Sequence, residues 1–151
     1  MITTAEGDLL LAEAEALVNP VNCVGVMGKG LALQFRKAYP EMFRAYGRAC
    51  RAGEILPGHI HAWATEEGVG PRFILNFPTK RHWRDRSRLD DIEAGLADLV
   101  TVIERHEIRS VAIPALGAGL GGLDWSTVRP LIVRTLDKLS GVDVLLYEPP
   151  A

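Results

Sequence analysis

The sequence predicts a single α/β domain whose largely parallel sheet is covered by helices on both faces. Three observations carry this. Short apolar runs alternate with stretches of helical periodicity through most of the 151 residues, the pattern of strands joined by crossover helices. Two of the runs, residues 16–19 and 111–114, are apolar almost without interruption, as strands buried on both faces are. Each leads into a glycine-bearing loop and then a helix, so the loops fall at strand carboxyl ends, where ligands sit in such sheets.

Taken in order, residues 2–4 and 8–11 read as short strands around a turn at Gly7. The run 16–19 stops as a strand at Pro20, which cannot donate to a ladder. The loop 22–30 opens a helix over 31–39, in which Leu31, Phe35 and Ala38 recur at helical spacing. Pro40, favoured in a first helical turn, begins a second helix to about Arg51, and Gly53 stops it. Residues 59–64 and 72–77 alternate as strands across a turn at 66–71. Residues 90–106 place Ile92, Leu96, Leu99, Val100 and Ile103 on one helical face. The strand 111–114 is followed by the glycine-rich 117–122. Asp124 reads as the cap of a helix through Leu139, and 142–147 as a closing strand. The last four residues, Glu148 to Ala151, read as a stop or the start of a linker.

Composition narrows the function classes. Hydrophobic residues make up 48% and charged residues 24%, which fits a globular domain and not a disordered or fibrous chain. A net charge of −2 gives no overall pull toward nucleic acid, so any such binding needs a local basic patch. Cys23 and Cys50 are too few for a disulfide framework or a zinc site, and read as reduced thiols of a cytoplasmic protein. His59 and His61 alternate on a strand without a second pair at ligand spacing, so no metal is expected. Residues 1–11 carry Glu6 and Asp8 and lack a basic leader, and no apolar run is long enough to span a membrane.

The two glycine loops suit a diphosphate, because glycines let backbone N–H groups approach oxygens and helix N-termini favour anions. Either loop alone could be a plain turn; both in one small domain favour phosphate. Neither is a Walker motif, since no Gly-Lys-Ser/Thr occurs. The second lies too late in the chain for a dinucleotide fingerprint. Lys80 falls just past a strand end and a Pro78-Thr79 turn, with Arg81, Arg84, Arg86 and Arg88 after it. Positive neighbours disfavour an ammonium and can make the amine a better nucleophile, although a lysine in a charged loop is usually just solvated. Residues 80–88 interleave basic side chains with His82 and Trp83, a make-up found on surfaces that hold single-stranded nucleic acid. A solvated loop balanced by Asp85, Asp90 and Asp91 is the plain alternative. Trp63 and Trp125 read as packing residues.

Gly7-Asp8, the stretch Val18 to Gly30 and the stretch Ile113 to Leu123 together resemble the macrodomain family, in an order that covers nearly the whole chain. Within it, residues 22–30, 76–83 and 121–125 are similar to the macrodomains of DNA ADP-ribosyl glycohydrolase antitoxins. The resemblance implies a three-layer α/β/α macrodomain with a mixed, largely parallel central sheet, and ADP-ribose as ligand. It implies that Asp8, buried, accepts a hydrogen bond from the adenine amino group, with Leu9 beside it and Tyr147 against the adenine face. Asn22 would meet the distal ribose as both donor and acceptor. Backbone amides of Gly28, Lys29 and Gly30 and of Gly117, Ala118, Gly119, Leu120 and Gly121 would cradle the diphosphate.

Lys80 would be the catalytic residue, as nucleophile, acid or electrostatic stabiliser. Arg81, His82, Trp83, Arg84 and Arg86 would hold nucleic acid. The implied activity is removal of ADP-ribose from ADP-ribosylated bases, thymidine in single-stranded DNA being expected, as antitoxin to a DNA-modifying toxin. No cofactor and a monomer are expected. A non-catalytic ADP-ribose reader and a hydrolase of ADP-ribosylated protein carboxylates are the rivals. In one respect the chain departs from the related protein-directed hydrolases. They carry an aspartate in the second loop where this sequence has Gly121, and Asp124 reads as a helix cap instead.

Overall fold

The computed structural model describes residues 1–66, 68 and 70–149. Its elements in chain order are β1 (Ile2–Ala5), a single 3-10 turn (Leu9–Leu11), β2 (Ala16–Asn22), α1 (Gly30–Ala38) and α2 (Pro40–Arg51). They continue with β3 (His61–Ala64), β4 (Phe73–Lys80), α3 (Leu89–Arg105), β5 (Ser110–Ile113), α4 (Trp125–Leu136) and β6 (Asp143–Tyr147). The six strands form one sheet in the order β1-β6-β5-β2-β4-β3. Every described pairing is parallel except that of β3 with β4, so the sheet is mixed and largely parallel, as expected.

The period of two along each strand sorts the core into two faces. On β2, Ala16 and Val18 turn toward α3 and α4, where they meet Leu96, Leu99, Val128 and Ile132. Leu17 and Val21 turn toward α1 and α2, against Phe35, Met42 and Tyr46. All of these are buried, which makes the three layers. On the first face α3 lies very close to β4: a methyl group on Gly95 would come within 2.6 Å of the Phe77 ring. The other face holds a buried polar line. Asn19 donates to Asn76 (3.0 Å), whose amide nitrogen lies 3.1 Å from His61 Nδ1.

The structure corrects several sequence-based bounds. Residues 8–11 are not a strand. The Asp8 carboxylate accepts the Leu10 N–H (3.0 Å), winding a turn that buries Leu9 and leaves Leu11 exposed. β2 runs through Pro20 to Asn22, because its pairing with β5 ends at Leu17 and leaves one flank open, where a missing N–H costs no ladder bond. Pro78 and Thr79 belong to β4, and residues 59 and 60 precede β3. Asp124 stands at the N-cap of α4 without a side-chain cap bond, and the helix stops at Leu136. Positions 67 and 69 of the expected 66–71 turn, and 150 and 151 of the tail, lie outside the described residues.

Candidate active site

β2 and β5 are neighbours, yet the loops that follow them lead to helices on opposite faces, α1 on one and α4 on the other. Such a divergence opens a crevice at the strands' carboxyl ends. Both glycine loops line it, and they touch: Leu120 of the second reaches Gly30 of the first, with its Cδ1 3.3 Å from where a Cβ would stand. Among the described residues, the N–H groups of Gly28, Lys29 and Gly30 and of Gly117, Gly119, Leu120 and Gly121 donate to no protein acceptor. Those of the first loop sit at the start of α1, so the helix dipole adds to an anion's attraction. The Ala118 N–H differs from this expectation. It is spent on the Ala115 carbonyl (3.0 Å), which closes the turn that carries the loop.

Asn22 organises the first loop. Its side-chain oxygen accepts the N–H groups of Val24 (3.0 Å) and Val26 (3.3 Å), and its amide nitrogen donates to the Val26 carbonyl (2.7 Å). The Tyr46 hydroxyl, fully buried in α2, lies 2.6 Å from the Asn22 backbone oxygen and 2.9 Å from the side-chain oxygen. Two backbone donors fix which way the amide faces. One N–H of Asn22 is left for a ligand, so it presents a donor alone where the sequence suggested donor and acceptor together. Tyr46 was missed by sequence reasoning; in α2 it reads as one more apolar-face residue.

Lys80 ends β4 directly opposite Asn22 in the register. The ladder pairs Val21 with Pro78 and then Asn22 with Lys80, so Thr79 is an extra residue in a bulge. Bulges of this kind re-aim the side chain that follows. The Lys80 amine lies 3.5 Å from the Trp83 carbonyl, and no ion pair among the described residues involves it. Three of the four arginines that the sequence placed around it have partners of their own. Arg81 is bound to Asp91, Arg86 donates to the Gly122 carbonyl (2.8 Å), and Arg84 lies 4.7 Å over the Trp83 ring. Trp83 is exposed and packs on His82 with ring centres 5.2 Å apart.

At the far end of the crevice Asp8 is exposed, not buried, since it caps a surface turn. Leu9 beneath it is buried, and Tyr147 ends β6 next to both. Burial, and then the Asp8 carboxylate, raise the Tyr147 hydroxyl's pKa. Burial also pushes the Cys23 thiol, in the first loop, up to about 11. Among the described residues no group of three or more His, Cys, Asp or Glu could hold a metal.

The second loop explains its own glycine. A side chain on Gly121 would run into the Ser87 hydroxyl and come 2.5 Å from the Gly117 carbonyl oxygen. Ser87 and Asp91, both buried, are further residues that sequence reasoning did not place at the site. Flanked by arginines in one case and in a helix's acidic first turn in the other, neither gives a signal of its own.

Read across the top of the sheet, the groups fall in a line. Leu9 and Tyr147 stand by β6, the second glycine loop follows β5, Asn22 ends β2 with the first glycine loop after it, and Lys80 ends β4. Three strand spacings separate the ends of this line, about 14 Å. An apolar and aromatic end, an anion-binding middle and an amine end suit an extended nucleotide sugar.

A crevice of this kind on a mixed, helix-covered sheet defines a macrodomain, and the chain belongs to that family: the macro domain model matches residues 18–132. It is 54% identical over 149 residues, 99% of its own length, to a protein of Mycobacterium tuberculosis named DNA ADP-ribosyl glycohydrolase, of which it spans 42%. The solved macrodomain of Mycobacterium tuberculosis DarG superposes with a TM-score of 0.97 at 54% identity, over 100% of this chain and 99% of that one. The structure of Thermosipho africanus DarTG in complex with ADP-ribose matches with a TM-score of 0.92 at 38% identity, over 98% of this chain and 41% of that one.

Proposed function

We propose that this domain removes ADP-ribose from ADP-ribosylated DNA bases, with thymidine in single-stranded DNA as its substrate, and that it serves as antitoxin to a DNA ADP-ribosyltransferase toxin. The observation that carries this is the line across the sheet, in which Lys80 stands opposite Asn22 at the end of an anion-binding crevice. The relatives named DNA ADP-ribosyl glycohydrolase support the substrate class, as does the relative from Thermosipho africanus named a fusion of DNA ADP-ribosyl transferase and DNA ADP-ribosyl glycohydrolase.

In this reading Tyr147 and Leu9 pack on the adenine, Asp8 takes its amino group, and the free amides of the two loops hold the diphosphate. The binding energy of that remote portion orients the distal ribose against Lys80. The amine's lone pair attacks the anomeric carbon while the bond from that carbon to the base nitrogen breaks. The base leaves with the bonding electrons and takes the proton that the attacking nitrogen sheds as it becomes a neutral secondary amine. Water then hydrolyses the lysine–sugar adduct, freeing ADP-ribose and the amine. Trp83, His82 and Arg84, which stack on one another just past Lys80 in the chain, would contact the DNA strand.

The test is release of ADP-ribose from a modified single-stranded oligonucleotide by wild type and Lys80→Ala. Release by wild type alone, with affinity for free ADP-ribose kept by both, is the expected result. Binding without release by either protein would make the domain a reader instead, and equal turnover of glutamate-linked ADP-ribose on protein would overturn the substrate class.

A further inference from the structure

We infer that the Arg81–Asp91 pair is a positioning device for Lys80, which holds the bulged end of β4 so that the amine is delivered to the crevice, and is not part of the nucleic-acid surface. The inference rests on the reading of Lys80 as the reacting amine. Its basis is geometric. Arg81 Nε lies 3.1 Å from one Asp91 oxygen and Nη2 lies 3.2 Å from the other, the two-pronged arrangement that matches a guanidinium fork to a carboxylate. Asp91 is 7% exposed and sits in the first turn of α3, where the helix dipole favours its charge.

The main chain of Arg81 is held as well, for its carbonyl accepts the Cys23 N–H at 3.3 Å. Residue 81 is therefore tied to the first glycine loop by its backbone and to α3 by its side chain. The tie falls where the strand most needs one. Thr79 is the extra residue of the bulge, and its hydroxyl reaches the Val21 carbonyl only at 3.5 Å. A bulge interrupts the ladder that would otherwise hold a strand end rigid. Lysine's four-carbon stem cannot fix its own amine, so the Cα position of Lys80 sets where that amine can reach. A guanidinium that already shares its charge with a buried carboxylate is also a poor partner for phosphate.

The experiment uses the full chain and a modified single-stranded oligonucleotide, with Arg81→Gln, Arg81→Lys, Asp91→Asn and the double variant Arg81→Gln/Asp91→Asn. Release rates are measured over a series of salt concentrations, with the thermal midpoint of each protein. Displacing a reacting group by about 1 Å costs on the order of 100-fold in rate, so each single variant should lose at least about 10-fold in kcat. Arg81→Lys must lose it too, because it keeps the charge and loses the fork. The double variant should be no slower than the slower single variant, and KM and its salt dependence should stay at wild-type values.

A wild-type rate in Arg81→Lys, together with a salt slope shallower by about 0.7 in Arg81→Gln, would mark Arg81 as a phosphate contact and overturn the inference. Unchanged rates in all variants would overturn it equally. If wild type releases nothing, the hydrolase reading fails by itself. The positional inference is then read from the NMR signal of 13C-methylated Lys80, which must shift in Asp91→Asn.

Discussion

Replacing Gly121 with alanine tests the packing of the second loop. The backbone at this position is not in the left-handed region, so an alanine meets no torsional penalty and the whole effect comes from its methyl group. That methyl would stand 2.5 Å from the Gly117 oxygen and 2.9 Å from the Gly117 carbonyl carbon, besides striking the Ser87 hydroxyl. Ser87 can turn its side chain aside. Gly117 cannot withdraw as readily, because its carbonyl accepts the Leu123 N–H at 2.9 Å and so closes the loop. Overpacking of this kind costs roughly 1–3 kcal/mol, and loss of that hydrogen bond about 1 kcal/mol more. At roughly 2–4 °C per kcal/mol for a domain of this size, the thermal midpoint should fall by about 4–16 °C. Affinity for ADP-ribose, read by calorimetry, should fall with it as the free amides move. Adding Ser87→Gly should restore only the share due to the hydroxyl. A Gly121→Ala protein that melts within about 2 °C of wild type and binds ADP-ribose equally well would refute the reasoning.

Three more outcomes follow from the same contacts. Gly95→Ala adds about 1 kcal/mol of helix propensity but drives a methyl into the Phe77 ring. Its unfolding midpoint in urea should therefore fall, and Phe77→Leu in the same protein should recover part of the loss. Tyr46→Phe removes the hydroxyl from both Asn22 oxygens at a cost of about 1–2 kcal/mol, and weaker ADP-ribose binding by calorimetry is expected. Unchanged affinity would mean that the Val24 and Val26 amides suffice to hold Asn22. Burial holds the His61 pKa below 6.5, so the unfolded chain binds the proton first as pH falls. The stability due to a neutral His61 is complete above pH 6.5 and is lost below it, toward the folded pKa. Wild type should lose urea resistance from pH 7.5 to 5.5 by more than His61→Gln does, and parallel curves would exclude this role.

The layers and the loops were legible in the sequence because each rests on a local pattern. The apolar faces of residues 31–39 and 90–106 and the unbroken run at 111–114 announce buried helices and strands by period alone. Glycine loops after strands announce themselves by residue type. What was not legible depends on contacts between distant segments. Pro20 reads as a stop until the ladder shows that β5 has already left β2. The bulge at Thr79 has no composition of its own and exists only in the pairing of β4 with β2. The sequence offers Asp85, Asp90 and Asp91 alike as balancing charges for the arginines of 81–88, and only the fold reveals that Asp91 holds Arg81 and the Gly122 carbonyl holds Arg86. Asp8 was legible as a site residue but not its exposure, since one charged residue after a glycine fits a surface turn as well as a buried pocket.

The carboxylates around Lys80 constrain its chemistry in turn. Asp91 is taken by Arg81, the backbone of the second loop leaves no room for a side chain at 121, and Asp124 is an exposed residue at the mouth of α4. None of them is hydrogen-bonded to the amine, whose own described partner is the Trp83 carbonyl. In the proposed mechanism an amine nucleophile with no carboxylate hydrogen-bonded to it among the described residues depends on its leaving group to bear the departing charge. A ring nitrogen between two carbonyls, as in thymine, spreads that charge over both oxygens and leaves as a stabilised anion. A serine alkoxide has no such help, and under the proposed mechanism it would stay attached.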